Sequence, residues 1–217
     1  MKKPSLALAA FLAATALFAQ PSFYDVAAHA TPAQILASLQ AGADARHGDM
    51  LGVTPLMAAA AGNPDPQAIT ILLAAGASCT ARDAIGDTPL AYAARSTTSP
   101  LIIQALVTAG ARVEERDDLG VTALMCAAQF NGRVEICAAL LRAGSRVNDH
   151  DPLGMTALML AALYTTEPGI VSLLLESGAD ATARSRGGRT ALDFAEDNPT
   201  LAGSAVLEAL RSATRGG

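Results

Sequence analysis

The sequence predicts an all-α solenoid of about six helix–loop–helix units joined by β-turn or hairpin tips. Five segments reading Gly-x-Thr-Pro-Leu or Gly-x-Thr-Ala-Leu lie 34 residues apart, and a second glycine series keeps the same spacing. Self-similarity at this period is typical of stacked repeats. The chain is 51% hydrophobic but only 4% aromatic, without Trp, which indicates a core of small aliphatic side chains. The two series are Gly52, Gly86, Gly120, Gly154 and Gly188, and Gly42, Gly76, Gly110, Gly144 and Gly178.

Two helices are predicted in each unit. The Ala-rich run 57–60 after the first Thr-Pro-Leu favours a short first helix. Asp65 before Pro66 marks the start of a second helix, since a side-chain acceptor followed by proline is an N-terminal signal. Ile69 and Leu72 begin the apolar stripe of that helix, which ends at a glycine of the second series. The same proline signal recurs at Thr31-Pro32, Ser99-Pro100 and Glu167-Pro168.

An aspartate lies three residues before most opening glycines, and Asp with Gly in a four-residue tip predicts a β-turn. With these aspartates, the units resemble the ankyrin repeat, whose motif is Asp-x-x-Gly-x-Thr-Pro-Leu-His-x-Ala-Ala and then Leu-Leu-x-x-Gly-Ala-Asp. The resemblance covers about 22–210, so we expect one domain over 20–213 with a tail at 214–217. The tip aspartates are Asp49, Asp83, Asp117 and Asp151. The predicted units are 22–51, 52–85, 86–119, 120–153, 154–187 and 188–213.

The units depart from the family motif in two ways. The 34-residue length implies one extra residue between the helices, in the segments 62–65 and 130–133. The motif histidine is absent, so we expect apolar packing at its place. The sixth unit lacks the Asp tip and is expected to be an irregular cap. The residues at the histidine position are Met57, Ala91, Met125, Met159 and Asp193.

The N-terminus is predicted to be a signal peptide, residues 1–19. Lys2 and Lys3 precede an apolar run that is short for a membrane span. Cleavage after Ala19 is favoured over cleavage after Ala30, because the later site would remove residues 23–28, which read as the first helix of the first unit. An uncleaved signal anchor is the remaining alternative. The protein is therefore expected in the periplasm, with the extracellular space as the alternative.

Charge and motifs exclude several function classes. Loss of both lysines with the leader takes the net charge from −5 to −7, which argues against nucleic-acid binding. His29, His47 and His150 are expected in separate loops or turns, without a metal-binding spacing. No phosphate loop, nucleophile elbow or His-Glu-x-x-His sequence occurs. We therefore expect no enzyme activity, cofactor or metal site, and no membrane contact after signal cleavage.

Cys79, Cys126 and Cys137 fall in phase with apolar positions of other units. A buried cysteine behaves as a small hydrophobe, so all three are interpreted as core thiols. A bond between Cys126 and Cys137, which share a unit, is the alternative. The basic residues Arg184, Arg186 and Arg189 are interpreted as a solvated turn, with contact to an acidic partner as the alternative.

The resemblance implies a concave binding face made by the tips and the exposed side of the first helices. Aliphatic residues at the tips indicate either an apolar strip or tips that pack on one another. Aromatic residues at the helix ends indicate interface anchors or packing beneath the inter-helix loop. The tip row consists of Leu51, Ile85, Leu119 and Leu153 before the glycine, and Val53, Asp87, Val121 and Met155 after it. The helix row consists of Arg95, Gln129, Phe130, Leu163 and Tyr164.

These observations predict a monomeric protein-binding module in a bacterial envelope, with a partner protein of unknown identity. Two alternatives follow from the resemblance. The first is an accessory that supports a co-exported redox enzyme, and the second is a secreted protein that binds a host target.

Overall fold

The computed structural model describes residues 22–215, which form helix pairs in the predicted order. Six inner helices alternate with six outer helices, and the last five inner helices start at the Thr-Pro-Leu or Thr-Ala-Leu sequences. The all-α solenoid is therefore confirmed. The inner helices are α1 (Phe23–His29), α3 (Pro55–Gly62), α5 (Pro89–Ser96), α7 (Ala123–Cys126), α9 (Ala157–Tyr164) and α11 (Ala191–Ala195). The outer helices are α2 (Pro32–Gln40), α4 (Pro66–Ala74), α6 (Pro100–Thr108), α8 (Val134–Arg142), α10 (Gly169–Glu176) and α12 (Ala205–Arg215).

The motif threonines begin the inner helices. Thr54 is the N-cap of α3, and its hydroxyl accepts from the backbone N–H of Met57 at 3.2 Å. This bond satisfies one of the free N–H groups of the first turn. Met57 itself is fully buried, as are the methionines at the same position of the fourth and fifth units. The expected apolar packing at the histidine position is confirmed there. In the last unit Asp193 instead completes a capping box with Thr190.

The outer helices bury one face and end at glycine. Ile102, Ile103 and Leu106 of α6 are at most 1% exposed, and the corresponding residues of the neighbouring outer helices are also buried. Gly76 closes α4 with φ +93°, in the left-handed region that residues with a Cβ avoid. The chain can therefore reverse toward the next tip without strain.

The inner helices pack closely because their contact residues are small. Ala59, Ala60, Ala93 and Ala94 are fully buried between adjacent units. A Cβ placed on Gly62 would lie 3.1 Å from the carbonyl oxygen of the first unit's inner helix. Small side chains at these positions allow dense stacking of helix on helix.

An asparagine just after or at the end of the inner helix joins every second pair of units. The amide of Asn131 donates to the carbonyls of Ala94 and Thr97, at 3.0 and 3.1 Å, at the end of α5. The last carbonyls of a helix have no hydrogen-bond partner within the helix. Here the asparagine side chain of the next unit donates to them. Asn63 and Asn198 make the same pair of bonds to the units before them. Thr97 and Thr165 hold this position in the intervening units.

Three boundaries differ from the expected ones. The segment predicted as a loop at 130–133 begins inside a π-helical turn, Ala127–Asn131, which ends at Gly132 with φ +67°. This wider turn absorbs the extra residue that the sequence placed in the loop. Gly62 is likewise the last residue of α3. Helix α12 continues to Arg215, so the first two residues of the predicted tail are helical.

Candidate partner-binding face

Each tip is organised by its aspartate. Asp117 Oδ1 accepts from the backbone N–H of Leu119 at 2.9 Å and of Val121 at 2.8 Å. The N–H of Gly120 bonds to the Asp117 carbonyl at 3.0 Å, which closes the turn. Asp and Asn favour such turns because the side chain accepts from the backbone two residues on. Asp49, Asp83 and Asp151 hold their tips in the same way.

Neighbouring tips are joined through the backbone. The carbonyl of Leu51 accepts from Ala84 at 2.7 Å, and that of Ile85 accepts from Asp118 at 3.0 Å. Pro152 interrupts the series because it has no N–H to donate. The series of backbone hydrogen bonds resumes at the fifth tip, where the N–H of Arg186 donates to the fourth tip.

The aliphatic side chains of the tips remain exposed despite these bonds. Leu51, Ile85, Leu119 and Leu153 are 64%, 53%, 70% and 61% exposed. Adjacent tips therefore stack by their backbones without hiding the side chains. The residues after the glycines, Val53, Val121 and Met155, are half-buried.

The predicted aromatic residues are exposed at the ends of the inner helices. Phe130 and Tyr164 are 55% and 51% exposed, while Gln129 and Leu163 beside them are half-buried. Phe130 lies on the π-helical turn of the fourth unit. The guanidinium of Arg95 lies over its ring, 5.4 Å from the centroid, in the geometry of a cation–π contact.

Asp87 is not a surface residue, which corrects its place in the tip row. Its side chain is 1% exposed, and Oδ2 lies 2.8 Å from Nη2 of Arg95. The guanidinium N–H is not aligned with that oxygen, so both carboxylate oxygens lack a hydrogen bond. Burial raises the pKa of Asp87 against the opposing effect of Arg95, and the charges of Asp83 and Asp117 raise it further.

Tyr92 and Asp83 show that tips and inner helices share one face. The Tyr92 hydroxyl, on α5, donates to Asp83 Oδ2 at 2.8 Å, and Asp83 is the aspartate of the tip that directly precedes α5. The pKa of Tyr92 is raised by burial and by this hydrogen bond to a carboxylate. We call this surface the concave face; it consists of the four exposed tip aliphatics together with Arg95, Phe130 and Tyr164.

The cysteines do not form a reactive site in the described part of the chain. Cys126 and Cys137 are buried and free, and burial raises their pKa to about 11 and about 12. A protonated, buried thiol is inert. Cys79 packs against the edge of the core but is only partly buried, and its thiol lies 3.2 Å from the Ala109 carbonyl.

Other predicted chemistry is scattered along the stack. His29 lies in the last turn of α1 rather than in a loop, whereas His47 and His150 lie near tips. Between residues 22 and 215, no group of three or more His, Cys, Asp or Glu side chains could hold a metal. None of the helices in that range is both long and apolar enough to cross a membrane.

The stacked units and their tips define a repeat protein in which each unit packs on its neighbours and the stack presents an extended surface. A family described as ankyrin repeats (3 copies) matches residues 25–117, 98–185 and 124–210. The chain belongs to the ankyrin-repeat family. Ankyrin repeats generally mediate protein–protein interaction. No curated protein matches this chain.

Sequence reasoning missed two features of this face. The buried Asp87–Arg95 contact had a signal, because the same two positions carry opposite charges again at Arg189 and Asp197. The π-helical turn under Phe130 had a weaker signal in Gly132, where the other units have Pro or Thr. Both depend on how side chains fill space between units.

Proposed function

We propose that this chain is an interaction module of a bacterial envelope and that it binds a partner protein through the concave face. The observation that carries the proposal is the exposure of four tip aliphatics in phase together with two aromatic residues on neighbouring inner helices. Exposed apolar patches on soluble proteins mark contact sites, and aromatic residues dominate interface energies.

The envelope location rests on the leader sequence. Residues 1–19 have the basic start and apolar run of a signal peptide but lie outside the described residues. Helix α1 supports cleavage after Ala19 rather than Ala30, because Ala27 and Ala28 are buried and α1 supplies the carbonyls that Asn63 binds. Removing residues 20–30 would expose the inner surface of the second unit. N-terminal sequencing of the exported protein tests this cleavage site.

Affinity capture from the native envelope fraction tests the binding proposal. The tagged protein is compared with the variant Phe130→Ala/Tyr164→Ala, and with Leu36→Ala/Leu101→Ala as a matched control on the outer helices. Leu36 and Leu101 are also half-exposed, at 47% and 54%. A partner retained by the wild type and the control but lost by the aromatic variant supports the concave face.

Equal recovery by all three proteins would contradict this site. Recovery of an exported redox enzyme would instead favour the accessory role, and recovery only from outside the cell would favour secretion.

A further inference from the structure

The concave face is apolar along its inner helices. Helices α3, α5 and α9, and α7 with its π-helical turn, contain a single charged residue, Arg95. That charge already contacts Asp87 from one side and lies over Phe130 on the other. The floor of the face therefore offers apolar contact and little free positive charge.

The tips add a row of carboxylates to this apolar floor. Asp49, Asp83, Asp117 and Asp151 recur at 34-residue spacing, each holding its turn through Oδ1 only. Within residues 22–215, Oδ2 receives a side-chain hydrogen bond only at Asp83, from Tyr92. Nine residues after the other three tip aspartates, in place of that tyrosine, stand Ala58, Cys126 and Leu160, and none of them carries a hydroxyl.

The arginines next to these tips do not neutralise the row. Arg82 is bonded to Glu115 and Asp118, and Arg116 is bonded to Asp149. Their charges are used in contacts from one turn to the next. The buried Asp87 carboxylate offsets Arg95, so the face keeps a net negative charge over its first four tips.

The negative row ends at the fifth tip. Ser185 replaces the aspartate there, and Arg186 follows it on the exposed turn. Arg189 in the same unit contacts Asp197 and lies 4.2 Å from the Phe194 ring centroid. The face therefore changes sign toward the C-terminal end of the stack.

We infer that the concave face binds a protein segment that combines apolar side chains with Lys or Arg. Complementary charge steers such a partner and fixes its register, while the apolar residues supply the burial. The lysine or arginine side chains of the partner pair with Asp117 and Asp151, and its apolar side chains contact Phe130, Tyr164 and the tip aliphatics. This inference rests on the proposed function and names the chemistry of the partner.

Peptide binding to the naturally processed protein tests the inference. Three labelled peptides of equal length are compared by fluorescence anisotropy: one of Leu and Lys, one of Leu and Glu with the same Leu positions, and one of Ser and Lys. We expect the Leu/Lys peptide to bind best, and its affinity to fall as salt is raised, because salt screens exposed charge pairs.

Two double variants separate the tip charges from general acidity. Asp117→Asn/Asp151→Asn keeps an oxygen acceptor for each turn but removes two charges, and Glu135→Gln/Glu176→Gln removes two exposed charges from the outer helices. Two exposed ion pairs correspond to a loss of affinity of about tenfold in the first variant. The second variant is expected to bind like the wild type. Circular dichroism melts confirm that both fold.

Several outcomes would overturn the inference. Tighter binding of the Leu/Glu peptide, equal loss in both variants, or no binding of the Leu/Lys peptide would each do so. If the Leu/Glu peptide binds and Phe130→Ala/Tyr164→Ala abolishes that binding, the charge assignment fails while the concave face stands as a binding site. The envelope capture experiment tests the proposed function independently.

Discussion

The third and fourth units share one repeat pattern but fill one pair of positions differently. The third unit places Asp87 and Arg95 where the fourth has Val121 and Gln129. In the third unit these residues form an ionic contact with the carboxylate buried, whereas Val121 and Gln129 are half-buried. The fold therefore requires only that this space is filled, and a charged pair fills it at a cost in desolvation.

The remaining units extend this comparison. The second unit has Val53 with Ala61, and the fifth has Met155 with Leu163. The last unit reverses the charges, with Arg189 bonded to Asp197. From the second unit to the sixth, the pair is therefore either oppositely charged or wholly uncharged, and it never leaves one charge alone.

Removing one partner of the charged pair is expected to have the largest effect. Arg95→Ala leaves Asp87 buried without a cation, and breaking a buried pair in this way costs about 3 kcal/mol. Urea unfolding followed by circular dichroism measures the loss. Gln129→Ala in the fourth unit is the control and is expected to cost less than about 1 kcal/mol, because no charge is left buried. Equal losses of stability in the two variants would show that water solvates the Asp87 carboxylate once Arg95 is removed.

The asparagine that joins the two units is expected to matter slightly less. Asn131→Ala removes two hydrogen bonds to carbonyls at the end of α5 and is expected to cost about 2 kcal/mol. The loss of stability is partly offset because Oδ1 of Asn131 has no hydrogen-bond partner in the native protein. Asn148→Ala is the matched control, since the side-chain amide of Asn148 donates a hydrogen bond to the Gly178 carbonyl at an exposed turn. A loss as large in the control would mean that burial does not set the cost.

Giving the third unit the residues of the fourth is expected to stabilise it. Asp87→Val/Arg95→Gln replaces both charged residues with a pair the repeat already accommodates, and we expect a gain of about 1 kcal/mol. Chemical denaturation of this variant and of Arg95→Ala forms the comparison. A loss in the double variant would show that the charged pair stabilises the native stack.

The same double variant is expected to change the pH dependence of stability. Because the folded protein raises the pKa of Asp87, protonation of this group favours folding below the unfolded pKa, and that contribution is lost as pH rises through the folded value. The gain of Asp87→Val/Arg95→Gln over the wild type should therefore grow from acidic to neutral pH. The Asp87 carboxyl group is faced by the charged groups of Asp83, Asp117 and Arg95. The control for the pH dependence is Asp83→Asn. A gain that is constant with pH would contradict the effect of burial on Asp87.

The exposed aromatic pair is expected to contribute least to stability. Phe130→Ala/Tyr164→Ala removes one cation–π contact and half-exposed rings, so the cost should be about 1 kcal/mol or less, a few degrees in melting midpoint. Leu158→Ala, on the same helix as Tyr164 but fully buried, is expected to cost about 3 kcal/mol. A similar collapse in both variants would place the aromatic residues in the core.

The repeat itself was predictable because it depends on local rules. Thr54 as a helix cap, Asp117 as a turn acceptor and Gly76 beyond a helix end each act within a few residues, and the structure has them in these roles. Burial of the outer-helix stripe also followed from its spacing. Exposure of Leu119 and Phe130 was one of two alternatives that the sequence left open.

The sequence alone determined the period, the order of helices and tips, and which residues share a face, because backbone periodicity fixes direction and phase. Only the tertiary structure decided that Asp87 is buried against Arg95, that Cys79 is partly exposed, and that Asn131 caps the unit before it. These features depend on contacts between residues eight to 37 positions apart, or on space left by neighbouring units, and no local rule determines them.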